Sequence, residues 1–156
     1  MEWLGQLGFA LPLGLGAIGS ALGVGAAGRA AAGAWAKEAK TGKGMNFLYV
    51  ALTGMPLSQT IYGFVLMLVV LKGAMFTDTG AVGTIVQTNP GAMFSIGLAC
   101  GLGELFSAWM QGVIGAAGIR AMCESDGKPF TFTIIAMGIA ETVGLFSFVF
   151  MFMMMP

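Results

Sequence analysis

Apolar residues run along the chain in four long blocks separated by short polar breaks. The first block extends from about Leu4 to Ala36 and ends at Lys37-Glu38-Ala39-Lys40-Thr41-Gly42-Lys43. The second runs from about Met45 to Phe76 and is followed by a polar stretch from Thr77 to Pro90. The third covers Gly91 to Cys123 and stops at Glu124-Ser125-Asp126-Gly127-Lys128-Pro129; the fourth begins at Phe130 and continues to the C-terminus. At about 27 to 33 residues, each block makes a helix of about 40 to 50 Å. That exceeds a hydrocarbon core of about 30 Å, so each is a membrane span that tilts or projects into water. The pattern predicts an all-α membrane protein. Its organisation is a first helical hairpin over 1–76, a connecting loop over 77–90 and a second hairpin over 91–156.

Composition sharpens the reading. Of 156 residues, 57% are hydrophobic and 9% charged, with no His and a net charge of zero. A water-facing fold carries about 25% charged residues, so lipid is the main solvent here. The balanced charge gives no field to attract nucleic acid. Cys100 and Cys123 both fall on the third segment and read as packing residues. The opening Met1-Glu2-Trp3-Leu4 lacks the basic start of a signal peptide, so Met1 is expected to begin the mature chain with its first helix retained.

Arg29, Lys37, Lys40, Lys43, Arg120 and Lys128 all gather on the side of the first and third breaks, and only Lys72 lies near the other. The positive-inside rule then places both hairpin loops in the cytoplasm and both termini outside.

The chain also repeats itself. Gly115-Ala116-Ala117-Gly118-Ile119-Arg120 echoes Gly25-Ala26-Ala27-Gly28-Arg29, and Ser147-Phe148-Val149 echoes Gly63-Phe64-Val65. Two hairpins entered from the same side form a parallel duplication. Gly14-x-Gly16-x-x-Gly19 and Gly23-x-Gly25-x-x-Gly28 satisfy a dinucleotide-binding pattern on paper, but no strand precedes either. Spacings such as Gly19-x-x-x-Gly23 and Gly97-x-x-x-Gly101 instead suit close helix packing, as in the crowded inner wall of a ring. No Walker A pattern is present, so the chain is expected not to hydrolyse ATP itself.

Two carboxylates, Glu141 and Glu104, fall deep inside spans. A charge at the bilayer centre costs about 2.5 to 3.5 kcal/mol on insertion scales, and no Lys or Arg lies at that depth. A proton or a metal cation must therefore neutralise it. Gln111, Ser58, Gln59 and Tyr62 fall at a depth comparable with Glu141. Pro56 lies just before them, and its missing N–H frees a backbone carbonyl. Oxygen donors of this kind suit a hard cation, whereas a proton needs only the carboxylate. The polar side chains could also simply hydrogen-bond between helices.

Pro56-Leu57-Ser58-Gln59-Thr60-Ile61-Tyr62-Gly63-Phe64-Val65, Phe106-Ser107-Ala108-Trp109-Met110-Gln111-Gly112 and Ala140-Glu141-Thr142 carry a resemblance over essentially the whole chain. They resemble the membrane-ring proteolipid of V-type rotary ATPases, nearest to bacterial sodium-pumping members. The resemblance implies a homo-oligomeric ring in a bacterial cell membrane. A central stalk would touch the loops at 37–44 and 124–129, and a stator subunit with an essential Arg would stand beside the ring. It implies one Na+ per protomer, held by Glu141, Gln111, Gln59, Ser58 and the Met55 carbonyl, with Tyr62 hydrogen-bonded to Glu141. Ser58 stands where sodium-type relatives often have Thr, which keeps the hydroxyl. Proton-pumping relatives usually lack the two glutamines, so H+ is the alternative cargo; a passive four-helix channel is the rival class. Glu104 departs from the pattern, which has a small residue there. It lies two turns from Gln111 on the same face and is expected to be a protonated structural acid.

Overall fold

The computed structural model describes residues 2–156, and Met1, the expected start, lies outside them. Four helices long and apolar enough to cross a membrane account for most of the chain: α1 (Glu2–Lys40), α2 (Leu48–Met75), α3 (Pro90–Glu124) and α4 (Phe130–Met153). Among the described residues the only β pairing is an isolated bridge between Phe76 and Val82. The protein is thus an all-α, multi-pass membrane protein built as two helical hairpins.

The helix ends differ from the hydropathy breaks for local reasons. Lys37 to Lys40, expected in the first loop, continue α1, because no helix breaker intervenes before Gly42. Gly42 has φ 71°, and the Lys43 N–H reaches back 2.9 Å to the Glu38 carbonyl, the closure of a left-handed cap. Asp126 (φ 52°) takes the same place after α3, where the Gly127 N–H donates to the Met122 carbonyl at 2.9 Å. Pro90, expected in the loop, is the first residue of α3. Its missing N–H costs nothing there. The loop itself is not wholly irregular, since Thr84–Thr88 form a short helix.

A seam of small residues joins α1 to α3. A Cβ on Gly97 would strike the Gly8 carbonyl, one on Gly101 would lie 2.7 Å from the Leu11 carbonyl, and one on Gly112 would strike the Gly23 backbone. Without side chains at these points the two backbones touch, which is how helices associate when lipid offers no hydrophobic drive. The two intramembrane prolines, one on α1 and one on α2, each free a carbonyl that faces a glycine of α3. Pro12 has no N–H for the Gly8 carbonyl, and that is the carbonyl Gly97 packs against. Pro56 likewise releases the Leu52 carbonyl, which lies 3.2 Å from where a Gly115 Cβ would be.

α2 and α4 flank this pair. Around Pro56 the α2 backbone tightens into a single turn of 3₁₀ helix (Met55–Leu57), and Leu66–Leu71 form a wider π-helical stretch. α4 buries only Thr133, Met137 and Gly144, leaving Ile135, Ile139, Val143, Phe146 and Phe150 exposed for lipid or another protein. Glu38 ties the first hairpin at its polar end. It accepts the Tyr49 O–H at 2.6 Å and the Asn46 N–H at 2.9 Å. The two hairpin loops meet through Lys43 and Asp126, whose charged atoms lie 2.6 Å apart.

Candidate ion-binding site

The polar residues singled out on α2, α3 and α4 converge at one level of the bundle. On α2 the 3₁₀ turn points the Met55 carbonyl at Ser58, whose hydroxyl donates to it at 3.1 Å and stands 3.1 Å from Gln59 Oε1. Gln59 is fully buried, and its Nε2 donates to Gln111 Oε1 at 3.3 Å and to Ser107 Oγ at 3.1 Å. Gln111, also fully buried on α3, donates from Nε2 to Glu141 Oε2 at 3.3 Å and to the Met137 carbonyl at 3.2 Å. Tyr62 completes the cluster from α2, donating its O–H to Glu141 Oε1 at 3.0 Å. Each Glu141 oxygen therefore receives a donor, one from each of two other helices. No Lys or Arg takes part, since the salt bridge found among the described residues is the exposed loop pair.

Helical spacing explains why these side chains meet. Met55, Ser58, Gln59 and Tyr62 are separated by three or four residues, or by one at a shared edge, and so line one face of α2. Ser107 and Gln111 are one turn apart on α3, and Met137 and Glu141 one turn apart on α4. Glu141 is only half-buried, unlike the glutamines, so its carboxyl sits at the margin of the protomer.

Ser107 escapes the sequence reading, although it is the bridge of the cluster. It accepts from Gln59 and donates to the Ala140 carbonyl at 2.8 Å, bonding the backbone beside Glu141. Its position four residues before Gln111 is the signal that could have found it. Thr60 and Ser20 form a separate polar contact of 2.8 Å that pins α2 to α1. Glu104 is not in the cluster. It is wholly buried between α1 and α4, with no hydrogen-bond partner on either oxygen.

The oxygen atoms gathered here include a carboxylate, two amide carbonyls, the hydroxyls of Ser58, Ser107 and Tyr62, and the Met55 carbonyl. These are hard donors with a single negative charge, a set matched to a small, weakly charged cation. A groove of about 490 Å³ lies elsewhere, between the polar ends of α1 and α3, lined by Arg29, Lys37, Arg120 and Glu124 among others. Being basic and open, it is unsuited to a cation.

The family model of the ATP synthase C-subunit matches the chain twice, over residues 7–70 and 94–154, one match per hairpin. The chain is also 32% identical over 135 residues to the A-type ATP synthase subunit K of Methanocaldococcus jannaschii, an alignment covering 85% of this chain and 54% of that protein. The chain thus spans about half the length of that curated relative.

Proposed function

Since the chain belongs to the ATP synthase C-subunit family, we propose that it is the rotor-ring proteolipid of a V/A-type rotary ATPase, carrying one Na+ per protomer on Glu141. The observation that carries the reading is the convergence of Tyr62 and Gln111 on Glu141, with the oxygens of Gln111, Gln59, Ser58 and Met55 close by. A cation entering between these oxygens replaces the Gln111 amide donor that now satisfies one oxygen of Glu141. Each glutamine can present its Oε1 instead of its Nε2 by turning its amide. A protonated Glu141 needs none of this oxygen set, and that difference favours sodium over H+.

The mechanism follows from charge. An ionised carboxylate half-exposed on the flank of the bundle is costly against lipid. With a monovalent cation bound, the site is neutral and can pass the lipid face as the ring turns. At the stator, an essential Arg of the kind found in this family competes for Glu141. The cation then leaves into an aqueous path while the ion pair keeps the carboxylate neutralised. Tyr62 closes the site when loaded by holding one carboxylate oxygen. In this reading the copies form a homo-oligomeric ring. Its polar hairpin loops, around 37–44 and 124–129, face the cytoplasm and the central stalk.

Carbodiimide labelling of the purified protein, mapped by mass spectrometry across a sodium series at fixed pH, tests the reading. The reagent attacks a protonated carboxyl in an apolar setting, so label at Glu141 that disappears as sodium rises is the expected result. Label at Glu141 indifferent to sodium would make the cargo H+ and leave Gln59 and Gln111 as packing groups. Label at Glu104 that disappears as sodium rises, with none at Glu141, would mean that the carrier is the other carboxylate.

A further inference from the structure

We propose that Glu104 is a second carboxyl site of the protomer, one that holds a proton permanently and takes no part in cation exchange at Glu141. Its side chain has 0% of its surface exposed, and neither carboxyl oxygen has a hydrogen-bond partner. The group sits between three helices. A Cβ built on Gly16 of α1 would lie 3.5 Å from Glu104 Cβ, and one built on Gly144 of α4 would lie 2.7 Å from Glu104 Oε2. The same point on Gly144 is 2.9 Å from Ser107 Oγ. Glycine at 144 therefore makes the space that the carboxyl fills. α4 closes it off from the exposed flank where Glu141 stands.

Nothing within reach can neutralise an ionised Glu104 except a proton or a metal cation. The nearest bases on each packed element are Arg29, Lys72 and Arg120. Arg29 and Lys72 lie about 20 Å along the helices from Gly16 and from the neighbouring Gln59, and Arg120 lies farther still from Glu104. The ionisable groups close enough for their charge to act on the carboxyl are Cys100 on its own helix, Tyr62 on α2 and Glu141 on α4, while α1 brings none. None of them supplies positive charge.

The choice between proton and metal is decided by ligand count. Hard cations take six or so oxygens. Ser107 supplies a hydroxyl oxygen here, and its proton is already committed to the Ala140 carbonyl at 2.8 Å while its oxygen accepts from Gln59 at 3.1 Å. Gly16, Gly144 and Cys100 add no side-chain oxygen. A proton, by contrast, needs only the carboxyl itself. An ionised Glu104 would also compete for the Ser107 proton and draw it from Ala140, loosening the backbone beside Glu141. Neutral, it leaves that bond alone.

The consequence for transport rests on the rotor reading above. A protomer with Glu104 ionised would keep one net negative charge in the bilayer even when Glu141 is loaded, and would resist passage past lipid. With Glu104 locked by a proton, charge at Glu141 alone gates rotation.

Infrared spectroscopy of the full-length protein in lipid at neutral pH and saturating sodium is the test. The wild type and Glu141→Gln are both expected to show the C=O stretch of a protonated carboxylic acid, slow to shift in D2O because the site is sealed. Glu104→Gln is expected to lose it. Sodium binding should count one ion per protomer in the wild type and in Glu104→Gln. Absence of the band from the wild type, its survival in Glu104→Gln, or a second sodium that vanishes in Glu104→Gln would each overturn the proposal. If Glu104→Gln does not assemble, the wild type and Glu141→Gln decide the matter between them. A band at Glu104 in a protein that binds no sodium would sink the sodium reading and leave this one standing.

Discussion

Replacing Gly112 by Ala adds one methyl where α3 meets α1, at a point occupied by the Cα and carbonyl of Gly23. The obstacle is backbone on both sides, so no side chain can rotate away and the helices themselves must part. They are 39 and 35 residues long and touch again at Gly8 with Gly97 and at Leu11 with Gly101. The movement therefore cannot stay local. Overpacking costs about 1–3 kcal/mol in adaptable cores, and a rigid backbone contact belongs at the upper end, about 3 kcal/mol. The better helix propensity of Ala returns up to about 1 kcal/mol. The net loss is about 2 kcal/mol, or a fall of roughly 4–8 °C in Tm for a chain of this size. Gln111 adjoins the substitution, so its 3.3 Å bonds to Gln59 and Glu141 should lengthen together and weaken cation binding. Thermal unfolding of the purified protein in lipid or detergent measures the effect, with Gly14→Ala, Gly33→Ala and Gly138→Ala as controls. None of these three has an atom within 4 Å of the added methyl. Their Tm should be unchanged or raised. If Gly112→Ala melts with the controls, the seam is not what holds α1 to α3.

Tyr62→Phe removes the 3.0 Å hydrogen bond to Glu141 while keeping the ring that stacks on Phe148. A loss of about 0.5–1.5 kcal/mol should raise the sodium concentration that protects Glu141 from carbodiimide by several-fold. An unchanged midpoint would remove Tyr62 from the site. Tyr49→Phe strips the buried O–H that Glu38 accepts at 2.6 Å, a bond to a charged group worth about 1.5–3 kcal/mol. It should lower Tm without altering the protection midpoint, and a shifted midpoint would show that the loop end and the site are coupled. At the loop pair, the hydrogen bond from Lys43 holds the Asp126 carboxyl below its usual range, and Asp126 holds Lys43 above its own. The contribution of Asp126 is therefore present above the usual carboxylate range and fades as pH falls through its lowered value. That of Lys43 fades as pH rises through its raised one. Both side chains are exposed, 55% and 74%, so the effect is small and screened. Asp126→Asn should flatten the acid shoulder of stability at low salt only, and a difference that persists in high salt would refute this.

Four spans, their duplication and the glycine seam were legible along the chain, because each depends on one-dimensional properties: apolar run length, repeated spacing, and small residues one turn apart. The polar positions 58, 59, 62, 111 and 141 were legible as well, since a polar side chain inside an apolar block stands out wherever the helix is placed. Local backbone chemistry was harder to read. The caps at Gly42 and Asp126 set the ends of α1 and α3, and a π-helical stretch in α2 left no mark in the hydropathy. The bonding pattern belongs to the tertiary structure alone. Ser107 looked like one more small residue of α3 until the crossing of α2 and α4 placed Gln59 on one side of it and Ala140 on the other. Glu104 and Glu141 are the same residue type, both deep inside their spans, and sequence could rank them only by resemblance. The fold separates them: α4 faces one with a glycine that seals it inside the bundle, and carries the other on its flank, where donors from two helices can meet it. Depth in a bilayer is a linear quantity that sequence records, whereas the direction in which a buried carboxylate looks is set by which helices close around it.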